Sequence, residues 1–197
     1  MALPKSKADE KFTYADYRAW PDDEHWELIG GVAYDMSPSP GTGHQEIVLT
    51  IARIIAEYLD GKQCKVFVSP LDVRLPESTD AAVDEDIVTV VQPDVVVVCD
   101  PRKIDTRGIL GAPDLAVEVL SESTAYKDET QKLLLYERHG VREYWIVNPG
   151  AGHLNLFRIG QDGRYEKPLH YRANETFESI VLPGLILDCG RIFSGIE

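Results

Sequence analysis

Two short apolar runs that each carry a carboxylate constrain this chain more than any other feature. The run from Leu115 to Leu120 is Leu-Ala-Val-Glu-Val-Leu, so Glu118 interrupts it, and Asp94 stands at the head of Val95-Val96-Val97-Val98. Runs of this length and composition predict buried β-strands. Because an ionised carboxylate is costly to bury unless it is paired or binds a metal, both acids need a partner.

The alternation of side chains along a strand places the two acids. Glu118 is expected on one face of its strand with Ala116 and Leu120, and the rest of the run on the other face. If the two strands are neighbours, Asp94 and Glu118 can converge on one cation, and two carboxylates with waters and a substrate phosphate are a usual Mg²⁺ site. The alternatives are structural: Asp94 follows Pro93 at a strand start, and Glu118 can pair with a buried lysine or arginine.

The rest of the chain predicts an α+β fold in which a mixed β-sheet is flanked by helices. Two short strands around Gly30-Gly31 predict an additional N-terminal hairpin. Apolar residues at helical spacing predict a helix from His44 to Leu59, and a second helix is expected from Ala125 to His139. Arg142 to Asn148 is a third buried strand, and the glycine-punctuated segments after Pro149 predict C-terminal strands.

Shorter segments are interpreted from their local patterns. Thr13 is expected to cap a short helix that ends at Trp20. The pattern from Lys65 to Leu75 predicts a strand, a turn and a strand, whereas Val88 to Cys99 is interpreted as one buried strand. Asp100 to Pro113 is then the connection to the next strand.

Composition limits the classes of function. The chain has 197 residues, with 33 acidic against 20 basic side chains and a net charge of −13. We expect one domain over residues 1–197, with residues 1–11 as a flexible tail. The negative charge argues against general affinity for the phosphate backbone, although a local basic patch or a divalent metal can offset it.

Location and redox state follow from what the sequence lacks. No apolar run approaches the roughly 20 residues of a membrane helix, and the first residues lack the apolar stretch of a secretory signal. We therefore expect a cytoplasmic protein with no membrane contact.

The cysteines Cys64, Cys99 and Cys189 are odd in number and far apart, so neither a zinc site nor a disulfide is indicated.

A series of motifs follows in order between about Phe12 and Phe193. They are WELIGG at 26–31, SP at 37–38, His44, QPDVVV at 92–97, PDLAVEVLS at 113–121, Asp128, Lys132, Tyr136, GV at 140–141, EYWIVNP at 143–149 and LPGL at 182–185. The series resembles a bacterial restriction-endonuclease-like family in the PD-(D/E)xK nuclease superfamily. The resemblance implies a phosphodiesterase that cleaves DNA and uses Mg²⁺ or Mn²⁺. Its metal ligands would be Asp94, Glu118 and the backbone carbonyl of Val119.

The expected lysine is not in its usual place. The superfamily pattern has a lysine where Leu120 stands, and the resemblance implies that Lys132 on the following helix replaces it. Asp128, Lys132 and Tyr136 are spaced to share one face of an α-helix. From there Lys132 could orient the attacking water or neutralise charge on the phosphate. The alternative is a surface ion pair between Asp128 and Lys132.

Two further residues are candidates for the catalytic site. The resemblance implies that Glu27 is a third acid of the metal site; the alternative is an exposed hairpin carboxylate. His44 could hydrogen-bond a phosphate or a metal-bound water; the alternative is a helix cap. Gln92 is expected to support the site from beside Pro93, and Tyr136 is interpreted as packing at the edge of the core.

These inferences predict a metal-dependent endonuclease that acts on DNA. Cutting both strands needs two active sites, so we expect a homodimer, with the edges of the C-terminal strands as a candidate interface. The alternative is a catalytically inactive protein of the same fold that binds nucleic acid or protein. A small-molecule α/β enzyme is disfavoured because the chain lacks the GxGxxG, GxxxxGK[ST] and GxSxG motifs.

Overall fold

The computed structural model describes residues 10–21, 23–36, 41–78, 83–121, 125 and 127–194. The helices in these ranges are α1 Tyr14–Tyr17, α2 Thr42–Leu59, α3 Leu133–His139 and α4 Cys189–Phe193, with 3-10 turns at Asp84–Asp86 and Pro101–Lys103 and a π-helix at Lys127–Lys132. The strands are β1 Trp26–Ile29, β2 Val32–Asp35, β3 Lys65–Val68, β4 Val73–Arg74, β5 Val90–Val91, β6 Val95–Val98, β7 Ile104–Asp105, β8 Gly108–Leu110, β9 Leu115–Val119, β10 Glu143–Asn148, β11 His153–Arg158, β12 Leu169–Arg172, β13 Thr176–Glu178 and β14 Ile186–Asp188. The predicted tail, residues 1–11, lies almost wholly outside the described ranges.

The strands that were predicted to carry the carboxylates are neighbours near the middle of a six-stranded sheet. Its order is β12-β11-β10-β9-β6-β3. Strand β9 pairs antiparallel with β6 and parallel with β10, so this main sheet is mixed, as the sequence predicts. Parallel neighbours β9 and β10 are joined by the crossover that contains the π-helix and α3.

The predicted N-terminal hairpin is confirmed, but it belongs to a second sheet. Gly30 and Gly31 have φ of 58° and 81°, a backbone conformation that glycine adopts without strain. The hairpin continues into a second six-stranded sheet of order β2-β1-β5-β4-β8-β7. Two strands of this sheet, β7 and β8, lie inside the segment Asp100 to Pro113, which the sequence pattern reads only as a connection.

The interpretation of Val88 to Cys99 as one strand is wrong. The segment forms two strands in different sheets, β5 in the second sheet and β6 in the main sheet. The break falls at Gln92–Asp94, where Pro93 has no N–H to donate to a strand ladder. This break sets Asp94 at the start of β6, beside both sheets.

The alternation predicted for the Glu118 strand is confirmed by the two cores. Val117 and Val119 pack into a core cluster with helix α2 on one face of the main sheet. Ala116 and Leu120 pack into a second cluster with Tyr136 on the opposite face. Glu118 therefore points toward the side of the sheet that carries the π-helix and α3.

The two predicted long helices are present with changed details. Helix α2 begins two residues before His44 and ends at Leu59 as expected, and its apolar stripe packs on the main sheet. The helix predicted from Ala125 is a π-helix from Lys127 to Lys132 before it becomes α-helical, and Gly140 ends it with φ of 76°. The short helix capped by Thr13 ends at Tyr17 rather than at Trp20.

The prediction that the cysteines are unpaired is wrong for two of them. Cys64 and Cys99 form a disulfide, and Cys189 is free and buried. Cys64 precedes β3 and Cys99 follows β6, and these strands pair antiparallel with Lys65 opposite Val98. Strand pairing thus brings together two cysteines that are 35 residues apart in sequence.

The C-terminal strands complete the main sheet and add a small hairpin. Strands β11 and β12 pair antiparallel and extend the main sheet, whereas β13 and β14 form a separate two-stranded sheet. These four strands agree with the C-terminal strands predicted after Pro149. No helix within the described ranges is long and apolar enough to cross a membrane.

Candidate metal centre

Strand pairing sets Asp94 beside Glu118. In the antiparallel pair of β6 and β9, Val95 lies opposite Val117. Continued by one residue, this register sets Asp94 opposite Glu118, and side chains of opposed residues share one face of a sheet. The backbone N–H of Val119 donates to Asp94 Oδ2 at 2.7 Å, which holds the Asp94 carboxylate against the end of β9.

Glu118 is buried and bonded to the helical segment that follows its strand. Its Oε1 accepts from Lys132 Nζ at 2.7 Å and from the hydroxyl of Tyr136 at 3.0 Å. Burial raises the pKa of Glu118 well above its ordinary value. The nearby charges of Asp128, Asp94 and Glu27 raise that pKa further, and Lys132 opposes them.

Glu27 is fully buried, so the exposed-hairpin alternative is wrong. Its Oε1 lies 2.8 Å from Lys132 Nζ and accepts from the backbone N–H of Gln92 at 2.9 Å. Its Oε2 accepts from Lys127 Nζ at 2.6 Å. Burial would raise the pKa of Glu27, but Lys132 and Lys127 outweigh it and lower the pKa to about 2.

Lys132 lies among three carboxylates. Its Nζ is 2.7 Å from Glu118, 2.8 Å from Glu27 and 3.5 Å from Asp128. Burial alone would lower the pKa of Lys132, but the three acids raise it well above the ordinary value, so this ammonium keeps its proton. Lys132 and Asp128 are 1% and 2% exposed, which shows that the surface ion pair proposed as an alternative is wrong.

The π-helix explains why two lysines reach the same carboxylate. Lys127 and Lys132 are five residues apart, and the hydrogen bonds of a π-helix run from i to i+5, so these residues lie on one face. An α-helix would have turned Lys127 away from Glu27. Lys127 was not predicted as a site residue, because the sequence carries no periodic signal for a π-helix. The α-helical spacing from Asp128 indicated Lys132 and Tyr136 instead.

His44 contacts the other acid of the pair. Its Nε2 lies 3.2 Å from Asp94 Oδ2, and its Nδ1 is buried with no hydrogen-bond partner among the described residues. Burial lowers the pKa of His44, but Asp94 and the backbone of Val119 more than offset this and raise it above the ordinary value. The helix-cap alternative is wrong because Gly41 is the N-cap of α2 and His44 lies in its first turn.

The structure thus brings together every residue that the sequence proposed for the site. Glu27, Glu118 and Lys132 form one buried ion-pair network, and Asp94, His44 and Val119 adjoin it, as the contacts above show. Tyr136 was interpreted as core packing, and its hydroxyl is bonded to Glu118 besides. Gln92 supports the network through its backbone N–H to Glu27. The catalytic and metal-binding roles of these residues stay predictions.

The network offers donor atoms that a divalent cation prefers. Four acidic side chains, those of Glu27, Asp94, Glu118 and Asp128, lie here with Lys127, Lys132 and His44. Carboxylate oxygens are the ligands that Mg²⁺ and Mn²⁺ prefer. In the described ranges no group of three or more His, Cys, Asp or Glu side chains is arranged to hold a metal. A cation at this site would therefore rest on two carboxylates and a backbone carbonyl, completed by water and substrate.

A mixed sheet with an acid on each of two neighbouring strands, and a lysine bonded to one of them, defines the restriction-endonuclease-like class of nuclease folds. The chain belongs to the Uma2 family, which is described as "Putative restriction endonuclease" and matches residues 14–190. The resemblance inferred from the motifs is confirmed.

Two known proteins are similar over most of the chain. A crystal structure described as "a putative nuclease belonging to DUF820" from Anabaena variabilis has a TM-score of 0.73 at 19% identity, covering 94% of this chain and 99% of its own. That likeness confirms the predicted fold class. An uncharacterized protein of Synechocystis is 27% identical over 171 residues, which are 85% of this chain and 84% of the Synechocystis protein.

Proposed function

We propose that this protein is an endonuclease that hydrolyses phosphodiester bonds of DNA with the help of Mg²⁺ or Mn²⁺. The observation that carries the proposal is the buried contact of 2.7 Å between Lys132 Nζ and Glu118 Oε1, beside Asp94 on the neighbouring strand. It supplies from a helix the lysine that is missing at Leu120. Membership in a family described as restriction endonucleases supports the same reaction class.

In this proposal the cation is held by Asp94, Glu118 and the backbone carbonyl of Val119. A divalent cation supplies a Lewis acid that lowers the pKa of water and stabilises the charge that develops on a phosphate. Asp94 is the more open of the two acids, with its side chain 16% exposed against 5% for Glu118. Substrate would therefore approach from the Asp94 side.

Lys132 acts in this proposal as a fixed positive charge rather than as a base. An ammonium among three carboxylates does not take up a proton from water at neutral pH. Of its three contacts, the one to Asp128 is the longest at 3.5 Å. The N–H that faces Asp128 is the one that can turn to a phosphate oxygen or to the attacking water, where it would stabilise developing negative charge.

Glu27 and His44 position these groups. Glu27 bonds Lys132 together with Glu118, and Lys127 neutralises the second oxygen of Glu27. His44 holds Asp94 Oδ2, and its Nδ1 is a buried polar atom with no hydrogen-bond partner among the described residues.

Nicking of supercoiled plasmid DNA tests the proposal. Wild-type protein should nick in the presence of Mn²⁺ and not in EDTA, and Asp94→Ala should reduce nicking to the EDTA level because a metal ligand is lost. Glu57→Ala is the matched control, since Glu57 is an exposed acid on α2, and it should nick like wild type. Full activity in Asp94→Ala would rule out the assignment.

A second candidate function is favoured by the completeness of the ion pairs. Lys132, Lys127 and Tyr136 already bond the buried acids, and the chain carries a net charge of −13. Both facts fit a catalytically inactive protein of the same fold that binds nucleic acid or protein. Calorimetric titration with Mn²⁺ separates the two candidates: binding at sub-millimolar concentration supports the nuclease, and its absence supports the binding protein.

The proposed nuclease acts as a homodimer, because cleavage of both DNA strands requires two sites. Strand β12, from the predicted C-terminal region, ends the main sheet at one side. The outer edge of such a strand offers unpaired backbone groups to a second copy. Its Leu169 is 42% exposed and would be covered in that pairing.

A further inference from the structure

An open cavity lies across strand β1 from the carboxylate network. Its volume of about 460 Å³ is within the size range of ligand pockets. Trp26 lines it, and Glu27 is the next residue of β1. Since successive side chains of a strand point to opposite faces, the cavity and the network lie on opposite sides of β1. Gln92 connects them as well, because its side chain lines the cavity while its backbone N–H bonds Glu27.

The walls of the cavity are rich in aromatic rings. Tyr17, Trp20, His25 and Trp26 all line it. The ring centroids of Tyr17 and Trp20 are 5.5 Å apart, and those of Trp20 and Trp26 are 5.8 Å apart, so the rings support one another. Aromatic side chains held in this way are the usual platform on which proteins stack an unpaired nucleobase.

A polar group with a fixed orientation stands beside these rings. Gln92 Nε2 donates to Asp72 Oδ1 at 2.9 Å and to the hydroxyl of Tyr17 at 3.2 Å. Because the carboxylate of Asp72 can only accept, the amide nitrogen of Gln92 must face it, and Oε1 faces away. Oε1 is then the amide atom that remains to accept a hydrogen bond from a ligand, such as the N–H edge of a base.

The charges of the lining favour a neutral ligand. Arg18 and Arg107 are the positive side chains of the cavity, and Asp72 and Glu24 are its negative ones. Both arginines also pair with Asp84, at 2.8 Å and 2.7 Å. A bare phosphate would meet acids as well as arginines, whereas a flat neutral ring can stack on the aromatic side chains without displacing an ion pair.

We propose that this cavity holds one unpaired nucleobase of a nucleic acid, stacked on Trp20 and hydrogen-bonded by Gln92. The lining of the cavity supports the choice of a nucleobase. That the base belongs to a nucleic acid rests on the proposed nuclease function. Such a base would lie across strand β1 from Glu27 and the candidate metal centre. The substrate class is then DNA with an unpaired or extruded base. Extruding a base costs the least free energy where its pairing is already lost.

Tryptophan fluorescence is suited to the test. Two of the three tryptophans of the chain line the cavity, and the third, Trp145, is fully buried in the core of the main sheet. Wild-type protein in EDTA, where cleavage plays no part, is titrated with a duplex that carries one extrahelical adenine. The same duplex fully paired and deoxyadenosine monophosphate are titrated in parallel.

The bulged duplex should quench the emission and bind at least about tenfold more tightly than the paired duplex. Gln92→Ala should weaken that binding about tenfold while it keeps the backbone N–H that bonds Glu27. Trp20→Ala, checked for folding by circular dichroism, should weaken it by a similar factor. Tyr58→Ala removes a ring on α2 outside the cavity and should bind like wild type.

Equal binding of the two duplexes, wild-type affinity in Gln92→Ala, or binding of the mononucleotide alone would overturn the proposal. The result is independent of the nicking assay. Bulge-specific binding without any nicking would support the cavity and refute the nuclease, and nicking without bulge-specific binding would do the reverse.

Discussion

Glu27 connects both lysines of the site to the segment between β5 and β6. Each of its carboxylate oxygens meets a lysine, Lys132 on one side and Lys127 on the other, and a backbone N–H adds a third bond. A single carboxylate thus holds two ammonium groups in fixed positions beside Glu118. The hairpin that carries Glu27 is therefore part of the site rather than an appendage of the fold.

Burial by itself does not identify a functional acid. Glu143 is fully buried too, but Trp145 Nε1, the hydroxyl of Ser179 and the backbone N–H groups of Ile180 and Val181 all donate to it. Those neutral donors satisfy the carboxylate and hold the C-terminal segment on the main sheet. Glu118 instead faces other acids and a lysine that it shares with Glu27, and we propose this arrangement as the cation site.

Substitution of Glu27 should destabilise the fold. Glu27→Gln removes one partner each from the buried Lys132 and the half-buried Lys127, and removal of one member of a buried ion pair costs about 3–5 kcal/mol. Urea unfolding measures the loss. Glu57→Gln, at an exposed position on α2, is the control and should change the unfolding free energy by less than about 0.5 kcal/mol. A loss for Glu27→Gln as small as that of the control would contradict the network.

The same residue predicts a dependence on pH. The pKa of Glu27 falls from 4.5 to about 2 on folding, so its charge stabilises the native state above pH 4.5 and ceases to do so as the pH falls toward 2. The difference in unfolding free energy between wild type and Glu27→Gln should be constant near neutral pH and shrink below pH 4.5. A difference in unfolding free energy that grows as the pH falls would contradict a lowered pKa of Glu27 in the folded protein.

Site residues could be predicted from the sequence where a charged residue interrupts an apolar strand, and not where its contacts depend on distant segments. Glu118 and Asp94 stand out because a charge in an apolar run is expensive, and the motif order pointed to Lys132. Lys127 could not be found, since its contact with Glu27 depends on a π-helical turn and on a hairpin 100 residues away. Glu27 was ambiguous for the same reason, because the partners that bury it lie far along the chain.

At the scale of elements, the break between β5 and β6 matters most for the site. Gln92, Pro93 and Asp94 carry the chain from the second sheet to the main sheet, so they bring Glu27 of one sheet near Glu118 of the other. Gln92-Pro93-Asp94 interrupts the apolar residues between Val88 and Cys99, but we predicted one strand over the whole segment. Pro93 is the visible signal of the break, but which sheet each half joins depends on distant partners.

The π-helix has a comparable role on the other side of the network. It brings Lys127 and Lys132 to one face, and it continues into α3, where Tyr136 reaches Glu118. Insertions of this kind into an α-helix are frequent at functional sites. The α-helix predicted for this segment had the correct end at Gly140 but not the correct pitch.

The disulfide gives a test of how strands β3 and β6 pair. Non-reducing peptide mapping should show Cys64 linked to Cys99 and Cys189 as a thiol. A bond that closes a loop of 35 residues stabilises a fold by about 4 kcal/mol through the entropy of the unfolded chain. Reduction, or Cys64→Ser with Cys99→Ser, should lower the unfolding free energy by up to that amount.

A linkage that involves Cys189, or three free thiols in protein kept from reductants, would contradict the pairing. The bond also bears on location, because disulfides persist mainly in oxidising compartments. It lends no support to the cytoplasmic location predicted from the sequence.

For the whole molecule, charge is the main constraint on how DNA can bind. A net charge of −13 repels the phosphate backbone, so association depends on local features. The proposed cation between Asp94 and Glu118 would offset the excess acid at the point where the scissile phosphate must lie. The cavity beside β1 would add stacking, which is far less sensitive to the overall charge.

Fold class was predictable at this scale because strand and helix patterns, together with an ordered set of motifs, extend over nearly the whole chain. The division of strands between the two six-stranded sheets was not predictable, since very short strands such as β4, β5 and β7 have too few residues to show a periodic pattern. They are defined by pairing partners, and the sequence does not reveal those.

A crystal soaked in Mn²⁺ shows whether Asp94 and Glu118 share a divalent cation, as we propose. Anomalous scattering should show a manganese peak in contact with Asp94, Glu118 and the carbonyl oxygen of Val119, at about 2.1–2.3 Å. Crystals of Asp94→Ala should lack that peak. The shared cation would be contradicted if saturating Mn²⁺ gave no manganese between the two acids and Lys132 stayed bonded to Glu118.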